Sequence, residues 1–492
     1  MTGVEGASAV ERRTKIIATL GPASASRDTI GRMVAAGMDV ARLNFSHGTH
    51  ESHAELIRWV REAADEHGRA VAILQDIQGP RIRVGSFPGG SVELQTGQTV
   101  ELVDGDGEGD GGRIHIRHLA AAHLEEGHRV LLADGLIEVE VTAVGDARAT
   151  AVVRQGGILS SHKGAAFPAT RLDLPAVTAK DVADLEFGRG MGIDLVAASF
   201  VEQASDVRSV NRAAPGTPVI AKIERASAYA NLSSILEAAD GAMVARGDLG
   251  VELGYETLPI AQKELIAAAN AAGKISVTAT EMLESMTASP RPTRAEVTDV
   301  ANAIFDGTDA VMLSAETAVG RYPVRTIEVM SSICLAAESG QGHRPPQVAF
   351  IGGGAGFASA IAQAVRDAAA ALHLRTVVAF TESGGTARLV SKYRPDARII
   401  AFTPHPETYR QMAVMWGVEP EMFPRLDSTD EMIATAERIL VERGIASPGE
   451  RVAMSAGIPP NQRASTNLLK LHVIGESGRF GPAGDDQRPE GG

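Results

Sequence analysis

The chain of 492 residues has a single cysteine, few aromatic residues and no surplus of positive charge. The one cysteine, Cys334, excludes a disulfide within the chain and is typical of proteins in a reducing compartment. Aromatic residues make up 4 % and hydrophobic residues 44 %, so we expect cores built mainly of aliphatic side chains. The net charge of −14 argues against nucleic acid or an anionic membrane surface as the main partner.

Long apolar runs are also missing. The sequence has no stretch of about 18 apolar residues, which predicts that no segment spans a membrane. Residues 1–12 carry no apolar segment of the kind found in secretory signal peptides. We therefore expect a soluble cytoplasmic protein without a membrane or nucleic-acid partner.

One pattern recurs from residue 14 to about residue 340. An apolar run rich in β-branched residues ends in polar or glycine residues, and a segment with helical periodicity follows. Eight such runs occur, at residues 15–21, 39–48, 70–79, 194–201, 218–224, 241–250, 274–282 and 309–317. Apolar strands alternating with helices indicate a parallel sheet, and eight units match an α/β fold of the closed (β/α)8 TIM barrel type. A doubly wound open sheet is the alternative that this pattern leaves open.

The connection between the third and fourth runs differs from the others. It is long and carries short alternating strands with Gly and Asp-Gly turns, which predicts a small all-β domain inserted into a loop of the larger barrel. A further αβ region follows after about residue 340, and the end of the chain is rich in Gly, Pro and Asp. The predicted domains are the first part of the barrel after a short N-terminal tail (1–80), the inserted β domain (81–171), the second part of the barrel (172–340), a C-terminal αβ domain (341–475) and a disordered tail (476–492).

Polar side chains stand where the strands are predicted to end, and (β/α)8 enzymes hold their active sites at that rim. These side chains are Arg42, Asn44, Ser46 and His47 in the second run, Asp76 with Arg81 and Arg83 after the third, Lys222 and Glu224 in the fifth, Asp248 in the sixth and Thr280 in the seventh. Each of them alone is as typical of a helix cap as of a functional site. Their convergence on one rim favours a catalytic site.

The segment "AKIE" (221–224) gives the sharpest local signal. Lys222 and Glu224 alternate around one residue and therefore share a face of the strand. Asp248 follows the next strand, and two carboxylates with water and substrate oxygens are a typical Mg²⁺ environment. A plain lysine–carboxylate ion pair is the alternative. A metal, a lysine and arginines at one barrel mouth indicate a substrate that carries both a phosphoryl group and a carboxylate.

Six segments resemble the pyruvate kinase family, in order and with compatible spacing from about residue 14 to residue 475. They are "RLNFSHG" (42–48), "AKIE" (221–224), "MVARGDLGVE" (243–252), "TATEMLESM" (278–286), "PTRAEVTDVANAIFDGTDAVMLSAET" (292–317) and "SKYRP" (391–395). The resemblance implies the same three-part architecture, in which the inserted domain (81–171) is a small β-barrel that acts as a lid and the C-terminal αβ domain (341–475) is regulatory. It also implies a homotetramer and the last reaction of glycolysis. In that reaction phosphoenolpyruvate, ADP and a proton give pyruvate and ATP.

The resemblance also implies residue roles at the substrate. Lys222 would stabilise the transition state and the enolate, Arg42 would contact the phosphoryl group, and Thr280 would lie near the route by which the enolate is protonated. Glu224 and Asp248 would hold one Mg²⁺. The residues that would receive the substrate are Arg42, Gly247, Asp248 and Thr280. A second Mg²⁺ would arrive with the nucleotide, whose expected neighbours are Asn44, His47, Arg83 and Lys163.

A monovalent-cation pocket is expected at Asn44, Ser46 and Asp76. Family members that need K⁺ usually carry glutamate at the position of Arg81, whereas members that do not need it carry lysine. An arginine there predicts that a permanent positive charge near Asp76 replaces the cation, so that K⁺ is not required. The alternative is that Arg81 pairs only with a surface carboxylate.

Several positions depart from the usual family pattern, namely Ala133, Arg225, Glu281, Ala315 and the segment "KGAAF" (163–167). They bear on lid closure and catalytic rate but remove neither the lysine nor a metal ligand. Two other functions stay open. One is a Mg²⁺-dependent lyase acting on an enolate, which would not need Arg83 and Lys163. The other is a paralogue with weak catalysis that acts as a metabolite-sensing binding subunit.

The segment "TESGGTAR" (381–388) is predicted to follow a strand and to open a helix. Its hydroxyls and glycines could surround a phosphate with backbone N–H groups. The residues expected to do so are Thr381, Ser383, Gly384 and Thr386. A plain helix N-cap is the alternative. In the family this loop binds sugar phosphates or a nucleoside monophosphate, so we expect a phosphorylated allosteric effector.

Overall fold

The computed structural model describes residues 12–168, 170, 172–340, 356–459 and 465–476. The N-terminal tail that we expected at the start of the chain lies outside these residues. So do the region that follows residue 340, up to residue 355, and nearly all of the tail predicted as disordered.

Eight parallel strands close into a barrel, which confirms the predicted (β/α)8 fold and excludes the open sheet. The strands are β1 (Lys15–Leu20), β2 (Val40–Asn44), β3 (Ala72–Asp76), β4 (Leu195–Ala198), β5 (Val219–Ile223), β6 (Gly241–Ala245), β7 (Ile275–Ala279) and β8 (Ala310–Leu313). The strands are apolar almost throughout because both of their faces are buried. Ile16 packs outward against the helices, whereas Ile17 points into the barrel.

Helices cover the outside of the barrel. The first half carries Arg27–Ala36, His50–Glu66, Ala179–Gly190 and Ala204–Ala213. The second half carries Ala226–Ala230, Leu232–Ala238, Arg246–Leu253, Leu258–Ala271, Arg294–Phe305, Ala315–Ala318 and Pro323–Ser339, with a 3₁₀ turn at Glu284–Thr287. Several N-termini are capped by threonine. Thr49, Thr178 and Thr293 each accept a backbone N–H in a capping box, which satisfies amides that have no partner within the helix.

Four aspartates form a ring at the end of the barrel opposite the strand C-termini. Each precedes an even-numbered strand and accepts the backbone N–H of the preceding odd-numbered strand. The pairs are Ile16 N with Asp39 (2.8 Å), Ile73 N with Asp194 (2.8 Å), Val219 N with Asp240 (3.0 Å) and Ser276 N with Asp309 (2.8 Å). This aspartate ring satisfies strand amides where the sheet ladder ends.

The inserted domain is built on a curled sheet whose two edge strands are not paired directly with each other. Its six-stranded sheet contains Ala165–Ala166, Arg129–Leu132, Ile137–Gly145, Arg148–Gln155, Thr99–Asp104 and Arg113–Ile116, in that order, and a separate ribbon pairs Gly157–Ser160 with Ser91–Leu94. Short 3₁₀ turns lie at Pro88–Gly90 and Leu119–Ala122. Isolated bridges from Arg83 to Gly164 and from Val84 to Ile116 connect the two edges of the sheet. The chain that enters the lid therefore also helps to close it.

The C-terminal domain packs against the aspartate ring. Its five-stranded sheet has the order β11 (Val418–Met422), β10 (Arg398–Thr403), β9 (Thr376–Phe380), β12 (Arg451–Ala456) and β13 (Leu468–Val473), with only β13 antiparallel. Its helices are Phe357–Leu372, Gly385–Lys392, Pro406–Gln411 and Thr429–Glu442, with a 3₁₀ turn at Met412–Val414. Arg410 lies 2.7 Å from Asp194, and Arg394 lies 2.7 Å from Asp309. The C-terminal domain and the barrel thus meet through ion pairs as well as apolar contacts.

Candidate active site

Lys222, near the end of β5, is the centre of a buried ionic cluster. Its Nζ lies 2.7 Å from Glu224 Oε1 and 3.4 Å from Asp76 Oδ1, and it donates to Ser199 Oγ at 2.8 Å. Burial lowers the pKa of Lys222, but Asp76 and Glu224 outweigh that effect and raise it above its usual value. The side chain therefore stays a cation inside the barrel mouth.

Asp76 joins the lysine to an arginine. Arg42 donates from Nε to Asp76 Oδ2 at 2.7 Å and from Nη1 to Thr19 Oγ1 at 2.9 Å. Burial acts to raise the pKa of Asp76, but Lys222 and Arg42 hold it below its usual range. One ionised carboxylate thus orients two cations toward the barrel mouth.

Glu224 and Asp248 form a pair of carboxylates whose charge is poorly compensated. Burial raises the pKa of Glu224, and Asp248 raises it further against the attraction of Lys222. Burial likewise raises the pKa of Asp248. Among the described residues, Asp248 makes no hydrogen bond or ion pair, whereas Glu224 accepts Phe200 N at 2.7 Å.

A divalent cation fits this pair. No group of three or more His, Cys, Asp or Glu side chains in the described parts of the chain is arranged as a metal cage. Mg²⁺ needs no such cage, because one or two carboxylates with water and substrate oxygens complete its shell. Asp248 is exposed at the cavity, and its side chain makes no hydrogen bond or ion pair among the described residues, so its carboxylate is available as a ligand for such an ion.

Strained backbone holds the neighbouring groups in place. Thr280 has φ 68° and Phe200 has φ 54°, the left-handed region that side chains other than glycine rarely adopt. Thr280 Oγ1 accepts Gly247 N at 2.8 Å and donates to Ala279 O at 2.7 Å. Arg246 adds a bond of 2.6 Å from Nη2 to the Thr280 carbonyl. These bonds position a backbone N–H and a hydroxyl beside Asp248.

A cavity of about 470 Å³ lies between the barrel mouth and the lid. Glu224, Gly247 and Asp248 line it from the barrel, together with His47 and Glu281. Basic groups line it from the lid and its connections, namely Arg81, Arg83 and Lys163. In all, the cavity is lined by four cations (Arg81, Arg83, Lys163 and Arg225) and five carboxylates (Asp134, Glu224, Asp248, Glu252 and Glu281). It can therefore offer ligands both to phosphate oxygens and to a metal ion.

Comparison with known proteins identifies the family. The model of the pyruvate kinase barrel domain matches residues 11–327, and that of the pyruvate kinase alpha/beta domain matches residues 359–472. The chain belongs to the pyruvate kinase family. The resemblance drawn from the sequence motifs is thereby confirmed, and membership of this family makes the chain a kinase, a transferase that uses a divalent metal.

Individual pyruvate kinases match nearly the whole chain. One from Geobacillus stearothermophilus is 45 % identical over 484 residues, which covers 95 % of this chain and 81 % of the relative. One from Staphylococcus saprophyticus is 40 % identical over 476 residues, covering 94 % and 81 %. A crystal structure of a pyruvate kinase from Cryptosporidium parvum superposes with a TM-score of 0.87 at 35 % identity, covering 94 % of this chain and 96 % of that one. In the described residues, no helix has the length and apolar character needed to cross a membrane.

Arg81 lines the cavity beside Asp248. The cations that pair with Asp76 are Lys222 and Arg42, whereas the charge of Arg81 opposes part of the rise that burial causes in the pKa of Asp248. Arg81 makes no ion pair with any described carboxylate, and it lines the cavity. The replacement of K⁺ by the charge of Arg81 stays a prediction. The Gly79–Pro80 turn, with Gly79 at φ 65°, redirects the chain between Asp76 and Arg81.

The other expected nucleotide and cation residues are less closely grouped. Asn44 is occupied locally, since its Oδ1 accepts Ser46 N at 3.1 Å. Lys163 lies 3.5 Å from Asp134 Oδ2, and Arg83 donates to the His162 carbonyl at 2.7 Å. Asn44 and Ser46 do not line the cavity that His47, Arg83 and Lys163 share.

Sequence reasoning missed two groups at this site. Ser199 accepts from Lys222 and donates to the Ile77 carbonyl at 2.7 Å, and Thr19 accepts from Arg42. Ser199 follows β4 in the same strand-end position as the residues that we singled out on other strands. Its place at the end of a strand could have identified Ser199 from the sequence. A single uncharged serine is, however, common at strand ends and was not selected.

The segment 381–388, predicted to bind a phosphorylated effector, leads into the helix Gly385–Lys392. Gly384 has φ 79°, and among the described residues no side chain caps the first turn of this helix. Thr386 Oγ1 is bonded to Thr466 Oγ1 at 2.7 Å, Thr381 is buried and Ser383 is exposed.

Proposed function

We propose that the chain transfers the phosphoryl group of phosphoenolpyruvate to ADP and so produces pyruvate and ATP. One observation carries this proposal. Lys222 lies between Asp76 and Glu224 at the mouth of the barrel, beside a cavity that Arg83 and Lys163 enter from the lid side. Lys222 would then interact with phosphoenolpyruvate, and the lid cations would bind the phosphates of ADP.

The barrel residues would hold the first substrate. The phosphoryl group would meet Lys222 and Arg42, whose positive charges offset the negative charge that spreads over its oxygens during transfer. The substrate carboxylate would meet the backbone N–H groups of Gly247 and Asp248 and the Thr280 hydroxyl. After transfer, Lys222 would stabilise the enolate, and Thr280 would lie near the carbon that takes up a proton.

Two Mg²⁺ ions complete the proposed site, one at Glu224 and Asp248 and one that arrives with the nucleotide. Bound there, an ion supplies positive charge to oxygens of the substrates. Arg83 and Lys163 would bind the nucleotide phosphates, with Asn44 and His47 nearby. Lid closure would exclude water, which otherwise competes with ADP for the phosphoryl group.

Four further properties belong to the proposal. The chain would form a homotetramer in the cytoplasm. A phosphorylated effector would bind at Thr381, Ser383, Gly384 and Thr386. K⁺ would not be required, because Arg81 supplies a permanent charge at the barrel mouth. Reciprocal linkage demands that the effector changes substrate affinity if substrate changes effector affinity.

A coupled assay of pyruvate formation tests the proposed reaction. With phosphoenolpyruvate and Mg²⁺, pyruvate should form only when ADP is present. Pyruvate formed equally well without ADP would point to a lyase or phosphatase instead. The absence of turnover under both conditions would favour the binding subunit.

A further inference from the structure

We infer that Arg225 is a positioning residue that fixes the return segment, the part of the chain around Phe167 and Thr170 that leads from the lid back to the barrel. The inference rests on the proposed function, because it concerns the placement of the groups that would bind the nucleotide. Arg225 is one of the departures from the usual family pattern, in which asparagine is common. The structure gives this departure a physical role.

Arg225 is almost fully buried, with 3 % of its surface exposed. Its Nη2 donates to two backbone carbonyls of the return segment, Phe167 O and Thr170 O, both at 3.0 Å. Its Nη1 donates to Glu202 Oε1 at 2.9 Å, and its Nε lies 3.6 Å from Glu252 Oε1. The guanidinium therefore bridges lid and barrel.

Only arginine combines these contacts. Its planar fork directs several N–H groups in fixed directions, whereas lysine carries its charge on one nitrogen and asparagine is short and neutral. The two carboxylates balance the buried charge, so that the two hydrogens of Nη2 are available to the lid carbonyls. A residue that only neutralised Glu202 and Glu252 would not need contacts to Phe167 and Thr170.

The contact lies next to the proposed chemistry. Arg225 directly follows Glu224, and both line the cavity together with Phe167 and Lys163. Lys163 precedes Phe167 by only four residues, so a shift of the return segment moves the lid cation relative to the carboxylate pair. Loss of the Arg225 contacts should therefore weaken nucleotide binding more than binding of the carboxylated substrate.

The test combines kinetics with a direct measurement of lid position. Spin labels on Ile158→Cys in the lid and Ile260→Cys in the barrel, in a Cys334→Ser background, report the distance between the two domains. Both positions are well exposed, 70 % and 58 %. Arg225→Lys keeps a positive charge beside Glu202 and Glu252 but loses the fork.

In Arg225→Lys we expect a broader distance distribution and a KM for ADP raised about tenfold, with the KM for phosphoenolpyruvate changed less than about twofold. Arg61→Lys is the matched control, because Arg61 also binds two carbonyls and a carboxylate, but far from the lid. It should lower thermal stability without changing the distance distribution or the split between the two KM values.

If Arg225→Lys does not fold, Glu202→Ala takes its place, since it removes the carboxylate that orients Arg225 and leaves Glu252 to balance the charge. In Glu202→Ala we again expect a broader distance distribution and a raised KM for ADP, but both effects should be smaller than in Arg225→Lys. An unchanged distance distribution in the folded variant overturns the inference. An inactive wild type, by contrast, would contradict the proposed function, and the distances would still decide the role of Arg225.

Discussion

The Lys222 ammonium lies within reach of two carboxylates of different character. It is 2.7 Å from Glu224, whose pKa is raised, and 3.4 Å from Asp76, whose pKa is lowered. The difference arises because Asp76 also pairs with Arg42, whereas Glu224 faces Asp248. One lysine therefore connects a well-compensated carboxylate to a pair that still lacks positive charge.

Lys222→Met should abolish phosphoryl transfer while leaving the fold intact. One preorganised donor contributes about 3–4 kcal/mol to transition-state stabilisation, so kcat should fall about 10²–10³-fold or more. Lys263→Met is the control, because Lys263 makes an exposed ion pair with Asp306 away from the site. Turnover of Lys222→Met within about tenfold of wild type would rule out the assigned role.

Asp248→Asn should make the melting temperature of the protein independent of Mg²⁺. The metal-free variant should be at least as stable as the wild type, because the folded protein raises the pKa of Asp248 and so disfavours a charge that has no ion-pair partner in the described structure. Saturating Mg²⁺ should raise the melting temperature of the wild type but not of this variant. Glu224→Gln should likewise lose most of its Mg²⁺ affinity, although its amide oxygen can still accept Phe200 N.

Asp396→Asn serves as the control for both carboxylate variants, since Asp396 is exposed and pairs only with Arg13 among the described residues. It should show the wild-type shift with Mg²⁺. An unchanged metal titration in Glu224→Gln or Asp248→Asn would count against that residue as a ligand.

The enzyme should run in tetramethylammonium buffer with Mg²⁺ and neither K⁺ nor Na⁺. Adding K⁺ should change the rate less than about twofold, because Arg81 already supplies a permanent charge. Arg81→Glu should slow the reaction and make it dependent on K⁺. A strong K⁺ requirement in the wild type would contradict this role of Arg81.

The contact between Lys392 and Asp309 should give the domain interface a pH dependence. Burial is the main cause that lowers the pKa of Lys392, from 10.5 to about 8, and Arg394 adds to it against the attraction of Asp309. Between pH 8 and 10.5 the unfolded chain then holds more protons than the folded one, so this residue's contribution to stability rises with pH, by at most about 1.4 kcal/mol per pH unit.

The measurement is the free energy of unfolding of wild type and of Lys392→Met across this range. The free energy of unfolding of the wild type, minus that of Lys392→Met, should increase as the pH rises above 8. Below pH 8 this difference should stay constant. A difference that is flat from pH 7 to pH 10 would show that Lys392 titrates normally in the folded protein.

The barrel could be predicted because its strands are buried on both faces and so are apolar along their length. The acidic residues that precede β2, β4, β6 and β8 were not recognised as a ring, since an aspartate before a strand is equally typical of a turn. Their role depends on pairing with the neighbouring strand, as Asp309 does with Ser276 N. That pairing is a tertiary relationship with no local pattern.

The site was predictable where spacing along one strand fixes a shared face, as for Lys222 and Glu224. It was not predictable where a turn sets direction. A turn with Gly79 at φ 65° stands between Asp76 and Arg81, and the influence of Arg81 on Asp248 could not be read from the sequence. The role of Arg225 was hidden for a similar reason, because its partners Phe167 and Thr170 are backbone carbonyls, which no sequence pattern reveals.

Following the phosphoryl group itself tests the central claim most directly. Phosphoenolpyruvate labelled with ³²P is mixed with enzyme, ADP and Mg²⁺, and the reaction is stopped within one turnover. We predict label on the γ-phosphate of ATP in amounts equal to the pyruvate formed, and none with Lys222→Met. Pyruvate accompanied by labelled inorganic phosphate, or labelled ATP formed by Lys222→Met at the wild-type rate, would contradict the assignment of this site.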